Sequence, residues 1–460
     1  MRQAGLRAQF SESRTVAVCG CSIVGSAPRS TEGPKLSSVD HTDLPLAGFA
    51  PERPKPRRPK DITFKGGLDS AFHRWFRLTP SYSPTLVSEW LERFAPAIEG
   101  PVLDPFLGAG TTCIVASEMG LDSVGFEINP FLAFVGRVSS DWSVNWEDLA
   151  TAGELVLAQT SEWLRELPDD YEKFAEELNT LPPLIHNVTR WWRPDVLREM
   201  IAIREACKSH GGVTTDHLLL ALSQIVYSSA SITMGRLQVS FKDRSNDTIE
   251  PRELFLDALQ VMVEDLRAVP KDAGTVQVIN GDSRDLAELE LSPGAVFCSP
   301  PYPNRYSYIW NTRPHLYLLE MIDTPKAAAD IDCDTLAGTW GRATSLMQKG
   351  RVDPTENVEM AMGKTLDELE SASMFMRNYC CKYFNDLDAH LGAVRDRVAA
   401  KTPIGYVVGN SETNGVMVET HEILAGLMTA NQFKVDEVES LRARNSGAGL
   451  VEVTVTSHAK

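Results

Sequence analysis

The chain has 460 residues, of which 43% are hydrophobic, and 45 Lys and Arg stand against 62 Asp and Glu for a formal net charge of -17 at pH 7. That is apolar enough to bury one large domain with a substantial subdomain, and no stretch approaches the roughly 18 uninterrupted apolar residues of a membrane span. The eight cysteines show neither C-x-x-C pairing nor nearby zinc-type histidines, so reduced thiols and a cytoplasmic setting are expected, while the acidity sits awkwardly with any protein that grips phosphates.

Residues 1–60 are rich in Ser, Pro, Gly and Arg without periodicity, and are expected to form a disordered extension without a secretory signal. Arg53, Lys55, Arg57, Arg58 and Lys60, with Arg190, Arg193, Arg198 and Arg204 further on, would keep a local basic face on an acidic chain. Order begins near Asp61. Phe72 to Phe76 and Ser81 to Pro84 read as loop, and Thr85 to Phe94 as a helix with Leu86, Val87, Trp90, Leu91 and Phe94 on one side.

Next comes Pro101-Val-Leu-Asp-Pro-Phe-Leu-Gly-Ala-Gly-Thr-Thr112, which predicts a short strand, a turn through Gly108 and Gly110, and a helix from Thr111 to Met119 closed by Gly120. The strand Ser123 to Ile128 carries Glu127 at its end, where a carboxylate would accept from two ribose hydroxyls. Strand, glycine turn, helix and acid-ended strand together make a nucleotide-binding crossover. The third glycine of a pyrophosphate-binding signature is missing, which argues against NAD.

Residues 61–145 thus form the cofactor-binding part, and 146–270 interrupt the strand alternation with helical spacing at Glu147 to Leu167, Pro194 to Ser209, Thr215 to Ser229 and Arg252 to Leu266. A connection of that length predicts an inserted helical subdomain, with Trp191 and Trp192 in its core. Strands resume at Val276 to Ile279, followed by Asp282, which would either accept from an adenine amine or close an Asx-turn. Ala295 to Cys298 is the next strand. Trp310 to Met321 is predicted helical, residues 323–366 a polar, irregular insertion, Met374 to Val398 a long helix, Ile404 to Val408 a strand, Val418 to Ala430 a helix, and Val435 to Leu441 with Leu450 to Thr456 an edge hairpin.

The strand at Ala295 stops at Ser299-Pro-Pro-Tyr302. Two prolines remove two donors and fix φ, so the strand ends there and a stiff loop begins at the edge where open α/β sheets bind ligands. Held so, the Ser299 hydroxyl and Pro300 carbonyl are acceptors beside the flat Tyr302 ring, which suits a planar base with an exocyclic amine; a proline turn with a packed tyrosine is the plainer alternative.

With these pieces in place, the chain resembles the amino-group DNA methyltransferases of the N4-cytosine and N6-adenine type. Asp104-Pro-Phe-Leu-Gly-Ala-Gly-Thr-Thr112 is similar to that family's cofactor loop, Glu127-Ile-Asn-Pro130 to its ribose-binding strand end, Ser299-Pro300-Pro301-Tyr302 to its catalytic loop, and His73 through Ser83 to Leu86 to the segment at the methionine end of the cofactor. The resemblance implies a Rossmann-like methyltransferase fold, with a mostly parallel doubly wound sheet, a C-terminal antiparallel hairpin and the catalytic loop in residues 271–460. It implies S-adenosylmethionine as cofactor, held by Asp104, Phe106, Gly108, Gly110, Thr111, Glu127, Asp282 and Ser83, and double-stranded DNA as substrate, with a cognate restriction endonuclease as a partner. Serine at 299 implies cytosine N4; adenine N6, an RNA or tRNA base, and an inactive DNA-binding relative are the alternatives. The cofactor loop preceding the catalytic loop, the position of the helical insertion and the acidity depart from the family's usual pattern.

Overall fold

A computed structural model describes residues 61–460 apart from 62, 64, 79–80, 235–238, 288, 291, 337, 340 and 445–448. The expected disordered extension and the basic run of residues 53–60 lie outside the described residues.

Helix α1, Pro84–Phe94, begins where Ser83 accepts from the Thr85 N–H and Pro84 pre-sets the first turn; Leu86, Val87, Trp90 and Leu91 form its buried stripe. Strand β1, Val102–Asp104, is wholly buried, and α2, Thr111–Glu118, starts after Gly110 at φ 91°. Strand β2, Ser123–Phe126, leads to Asn129, whose side chain caps α3, Pro130–Ser139. Helix α3 is buried nearly all round, with Arg137 its one exposed residue.

The insertion holds α4 Trp146–Glu166, α5 Tyr171–Glu177, α6 Val188–Trp191, α7 Pro194–His210 and α8 Thr215–Ile225, then a ribbon of β3 Ile232–Met234 and β4 Val239–Phe241, then α9 Pro251–Leu266. Helices α4, α7, α8 and α9 lie where the apolar spacing put them; α5 and α6 were not expected, and the ribbon is too short to show an alternation. Trp191 and Trp192 are buried. The insertion has no core of its own: its apolar residues form one cluster with Phe72, Trp75, Phe131 and Leu316.

The sheet continues with β5 Val276–Ile279 and β6 Ala295–Cys298, then α10 Tyr308–Leu318. The expectation of an irregular segment over 323–366 is corrected: it holds α11 Pro325–Asp334, α12 Arg342–Gln348 and α13 Glu356–Ala372. Thr324 and Thr355 cap the first and third, and Val358, Met362, Leu366 and Leu369 bury a stripe sparse enough to read as polar. Helix α14 Met374–Arg395, β7 Pro403–Gly409, β8 Ser411–Thr413, β9 Val416–Val418, α15 Thr420–Ala430, β10 Phe433–Ala443 and β11 Val451–Ala459 complete the chain.

Seven strands lie in the order β10-β11-β7-β6-β1-β2-β5. Strands β5, β2, β1, β6 and β7 are mutually parallel, while β11 runs antiparallel to both β7 and β10. The expected edge hairpin is corrected in one respect: β11 is interior and only β10 is an edge. Helices α13, α14 and α15 cover one face and α1 and α2 the other, a doubly wound α/β arrangement. Because β1 has β2 on one side and β6 on the other, the chain's two halves part at β1, and a crevice opens above its C-terminal end. Among the described residues no helix is long and apolar enough to cross a membrane, and no group of three or more His, Cys, Asp or Glu is placed to hold a metal.

Candidate functional site

The loops leaving β1, β2, β5 and β6 close around a cavity of about 250 Å³. The β1 loop is a tight turn. Leu107 N–H donates to the Phe126 carbonyl (2.9 Å) and Gly110 N–H to the Leu107 carbonyl (2.9 Å), so Phe106, Gly108, Ala109 and Thr111 face the cavity. Gly108 has φ 55°, and a Cβ there would stand 3.1 Å from the Leu78 side chain. Gly110 is a glycine for another reason: a Cβ would lie 3.3 Å from Gly136 of α3, so it seats the turn on that helix and does not line the cavity.

Asp104 also stays beneath the cavity. It is fully buried and accepts from Phe106 N–H (3.0 Å) and the Tyr82 hydroxyl (3.1 Å). Burial raises its carboxyl to about 7 against the pull of those donors. Glu127 stands at the cavity wall, with Oε2 accepting from Gly108 N–H (2.9 Å) and Oε1 from Asn129 N–H (2.9 Å). Burial likewise lifts it to about 7, opposed by the two backbone donors. One carboxylate thus ties the glycine turn to the end of β2 and still faces the cavity with its remaining lone pairs.

Beyond β5, Gly281, Asp282 and Ser283 form the next wall. Asp282 closes an Asx-turn on Arg284 N–H (2.9 Å) and also takes the Arg284 guanidinium. Burial works to raise its carboxyl, but the hydrogen bonds from Arg284 outweigh it and hold the group below the ordinary carboxylate range. Arg284 reaches on to Asp386 (2.7 Å) and to the Asp334 carbonyl (2.6 Å), which brings Asp334, Thr335 and Leu336 of the 323–366 segment to the rim.

The fourth wall is Ser299-Pro300-Pro301-Tyr302. Ser299 Oγ donates to the Val407 carbonyl of β7 (3.0 Å), and the Tyr383 hydroxyl donates to the Pro301 carbonyl (2.7 Å). The Tyr302 hydroxyl donates to Glu452 Oε1 (2.7 Å), and Glu452 Oε2 accepts from Arg442 Nε (2.6 Å). The Arg444 guanidinium carbon lies 5.4 Å from the Tyr302 ring centroid, and Arg444 donates to the Asn410 carbonyl (2.8 Å). Burial, then the neighbouring Glu452 carboxylate, keep the Tyr302 phenol well above its ordinary pKa.

Of the residues singled out in the sequence, the cavity brings together Phe106, Gly108, Thr111, Glu127, Asp282, Ser299, Pro300, Pro301 and Tyr302. Asp104, Gly110 and Ser83 are not on its wall; Ser83 is the cap of α1. Tyr82, Arg442, Arg444 and Glu452 line it without having been assigned a chemical role. Arg442 and Glu452 face each other in the β10–β11 register, an opposite-charge cross-strand pair that the alternation of the hairpin could have exposed. The basic face expected from the arginines of the insertion is corrected. Arg193 pairs with Asp195 and caps carbonyls, Arg198 donates to the Leu164 and Leu167 carbonyls, and Arg204 is fully buried beside Glu205 and Glu320. Arg190 alone of the four lies outward, its guanidinium 3.9 Å from the Phe241 ring centroid. The six described cysteines are unpaired thiols.

The N6/N4 family model described as DNA methylase matches residues 85–133, which hold α1, the glycine turn and Glu127. The chain is 34% identical over 95 residues to the type II methyltransferase M.BsoBI of Geobacillus stearothermophilus, covering 20% of this chain and 18% of that one. It is 31% identical over 100 residues to the type II methyltransferase M.MjaII of Methanocaldococcus jannaschii, covering 22% and 18%. It is 30% identical over 276 residues to the type II methyltransferase M.AvaI of a Nostoc species, covering 54% of each. The chain therefore spans about half the length, or less, of these relatives.

Proposed function

We propose that this chain, which belongs to the N6/N4 amino-group DNA methylase family, transfers a methyl group from S-adenosylmethionine to the N4 amine of cytosine in double-stranded DNA. The observation that carries this reading is the Ser299 hydroxyl. Its proton is directed to the Val407 carbonyl, so toward the cavity the oxygen offers only acceptor capacity, and an exocyclic amine is the donor it suits.

The cavity residues fit the cofactor. The Glu127 carboxylate suits the two ribose hydroxyls, Asp282 and Ser283 stand where a purine amine and ring edge would be met, Phe106 supplies an apolar wall, and Gly108 permits close approach. Bound there, S-adenosylmethionine supplies an electrophilic methyl on a sulfonium centre. The remaining work belongs to the chain. Tyr302 offers a face on which a base turned out of the duplex stacks. Ser299 Oγ and the Pro300 carbonyl accept from the amine and move electron density onto its nitrogen, so catalysis is positioning plus hydrogen-bond polarisation. No strong base is needed beforehand, because the amine proton becomes acidic only as the new N–C bond forms.

Serine in place of the aspartate usual for adenine supports cytosine. The insertion of residues 146–270, whose ribbon presents Phe241 beside Arg190, is the proposed target-recognition region. Kinship with type II methyltransferases supports a cytoplasmic role beside a cognate restriction endonuclease. The test is nucleoside mass spectrometry on DNA and RNA from cells expressing the chain, with Tyr302→Ala as control. N4-methylcytosine in DNA that vanishes in the control is expected; N6-methyladenine would refute the cytosine assignment, and a mark confined to RNA would refute DNA as substrate.

A further inference from the structure

Three charged side chains of the β10–β11 hairpin stand on the cavity wall beside Tyr302 and have no part in the mechanism above: Arg442, Arg444 and Glu452. Two are accounted for by each other and by the ring. Glu452 takes the Tyr302 hydroxyl on one oxygen and Arg442 Nε on the other. Arg444 bonds the Asn410 carbonyl through Nη1, so among the described residues its Nε and Nη2 donors, like Nη1 and Nη2 of Arg442, have no partner, and it is Arg444 whose guanidinium lies against the Tyr302 ring.

The backbone of β7 fixes where those donors sit. Ser299 Oγ is bonded to the carbonyl of Val407, and Arg444 is bonded to the carbonyl of Asn410, just past the strand's end. Between them is Gly409, where an added Cβ would lie 2.9 Å from Tyr302 Cε2 and 3.0 Å from Arg444 Nη1. Ring and guanidinium therefore both rest against bare backbone at Gly409. The amine acceptor, the stacking ring and a cation with spare donors are strung along one short stretch, residues 407–410.

We propose that Arg444 is the residue that recognises the pyrimidine, donating to the O2 and N3 edge of the turned-out cytosine while Ser299 and the Pro300 carbonyl hold its N4 amine. The inference rests on the cytosine reading of the site. From N4 onward, cytosine's edge presents two acceptors, N3 and then O2, matched to a fork of guanidinium donors. Adenine presents one acceptor, N1, followed by a C–H, so one donor would be left without a partner in a half-buried site. Thymine would set an N–H against the guanidinium and a carbonyl against Ser299.

Once the target site has been located by sequencing methylated DNA, the test compares two duplexes. One carries cytosine at the target. The other carries a 2-aminopyridine C-nucleotide, which keeps the ring nitrogen and the amine but lacks O2. The full chain is expected to favour cytosine by about tenfold or more in kcat/KM, as for a lost hydrogen bond to a charged donor. Arg444→Ala should lower turnover on cytosine and show no preference between the two, with S-adenosylmethionine affinity within about twofold of the parent. An Arg444→Ala protein that is slow yet keeps the preference would overturn the assignment and place Arg444 on some other part of the DNA. If that variant fails to bind S-adenosylmethionine, Arg444→Lys replaces it; a single point donor should weaken the preference, and a preference at the parent level would overturn the assignment. A parent chain that marks only adenine would show instead that the cytosine reading itself had failed, before any variant is made.

Discussion

Glu127 and Ser299 face the same cavity and are expected to fail in different ways when removed. Glu127→Ala deletes the ribose acceptor and also releases the Gly108 and Asn129 N–H groups that shape the turn, so S-adenosylmethionine should bind about a hundredfold more weakly by calorimetry. Ser299→Ala leaves that cradle untouched, and should spare cofactor affinity while lowering single-turnover rates about a hundredfold. Equal loss of affinity in both would contradict the division. The carboxyls make a second residue-level prediction. Asp104 and Glu127 are both held near 7 in the folded chain, above the unfolded values of roughly 4. A raised acid binds its proton more tightly when folded, so its contribution is intact below about pH 4 and is lost as pH rises through 7, on the order of 4 kcal/mol for fully buried Asp104. Melting temperature should fall between pH 5 and pH 8, and Asp104→Asn should flatten that fall. A profile as steep in the variant as in the parent would remove Asp104 from the account.

At the scale of elements, one carboxylate ties the insertion to the segment before α1. Asp265 on α9 accepts from Phe72 N–H (3.0 Å), Trp75 Nε1 (2.9 Å) and Arg74 at Nε (3.1 Å) and Nη2 (2.6 Å), and it is buried. Phe72 has φ 61°, a conformation an L residue holds only when its surroundings impose it. Asp265→Ala should therefore cost about 2–4 kcal/mol by leaving two buried donors unanswered and the half-exposed Arg74 with only the more distant Glu264, seen as a lowered denaturation midpoint. A loss under 1 kcal/mol would mean that the turn stands without it. The four long helices of the insertion were legible because each buries a stripe on a larger core, whereas α5 and α6 are too short to show one. Helix α3 and the 323–366 helices were not: the first is a short apolar run directly after a strand, and the others bury too little to stand out.

For the whole molecule the governing quantity is its charge of -17, which repels duplex DNA at long range whatever local contacts it makes. Association with DNA measured by stopped flow should therefore speed up as salt rises from about 0.01 to 0.1 M, where the screening length shrinks to about 10 Å. A protein with a basic face shows the opposite sign, and a rate that falls monotonically with salt would refute this expectation. Three of the four arginines that suggested such a face are instead engaged within the insertion by carboxylates and carbonyls. A count of charges along the chain does not reveal which are already answered.

What the sequence determined by itself is local: where strands stop, which turn needs glycine, and which side chains sit at strand ends. The proline pair after Cys298, the turn at Gly108 and the acid after Phe126 are set by φ restriction, absent donors and the two-residue period of a strand, all readable within a few positions. What only the tertiary structure decided is which of those groups meet. Asp104 and Gly110 lie within the cofactor-loop motif yet serve the core, whereas Arg442, Arg444 and Glu452 reach the cavity from about 150 residues beyond the catalytic loop because β11 inserts between β7 and β10. That placement depends on strand order, a long-range choice made by burial across the whole sheet.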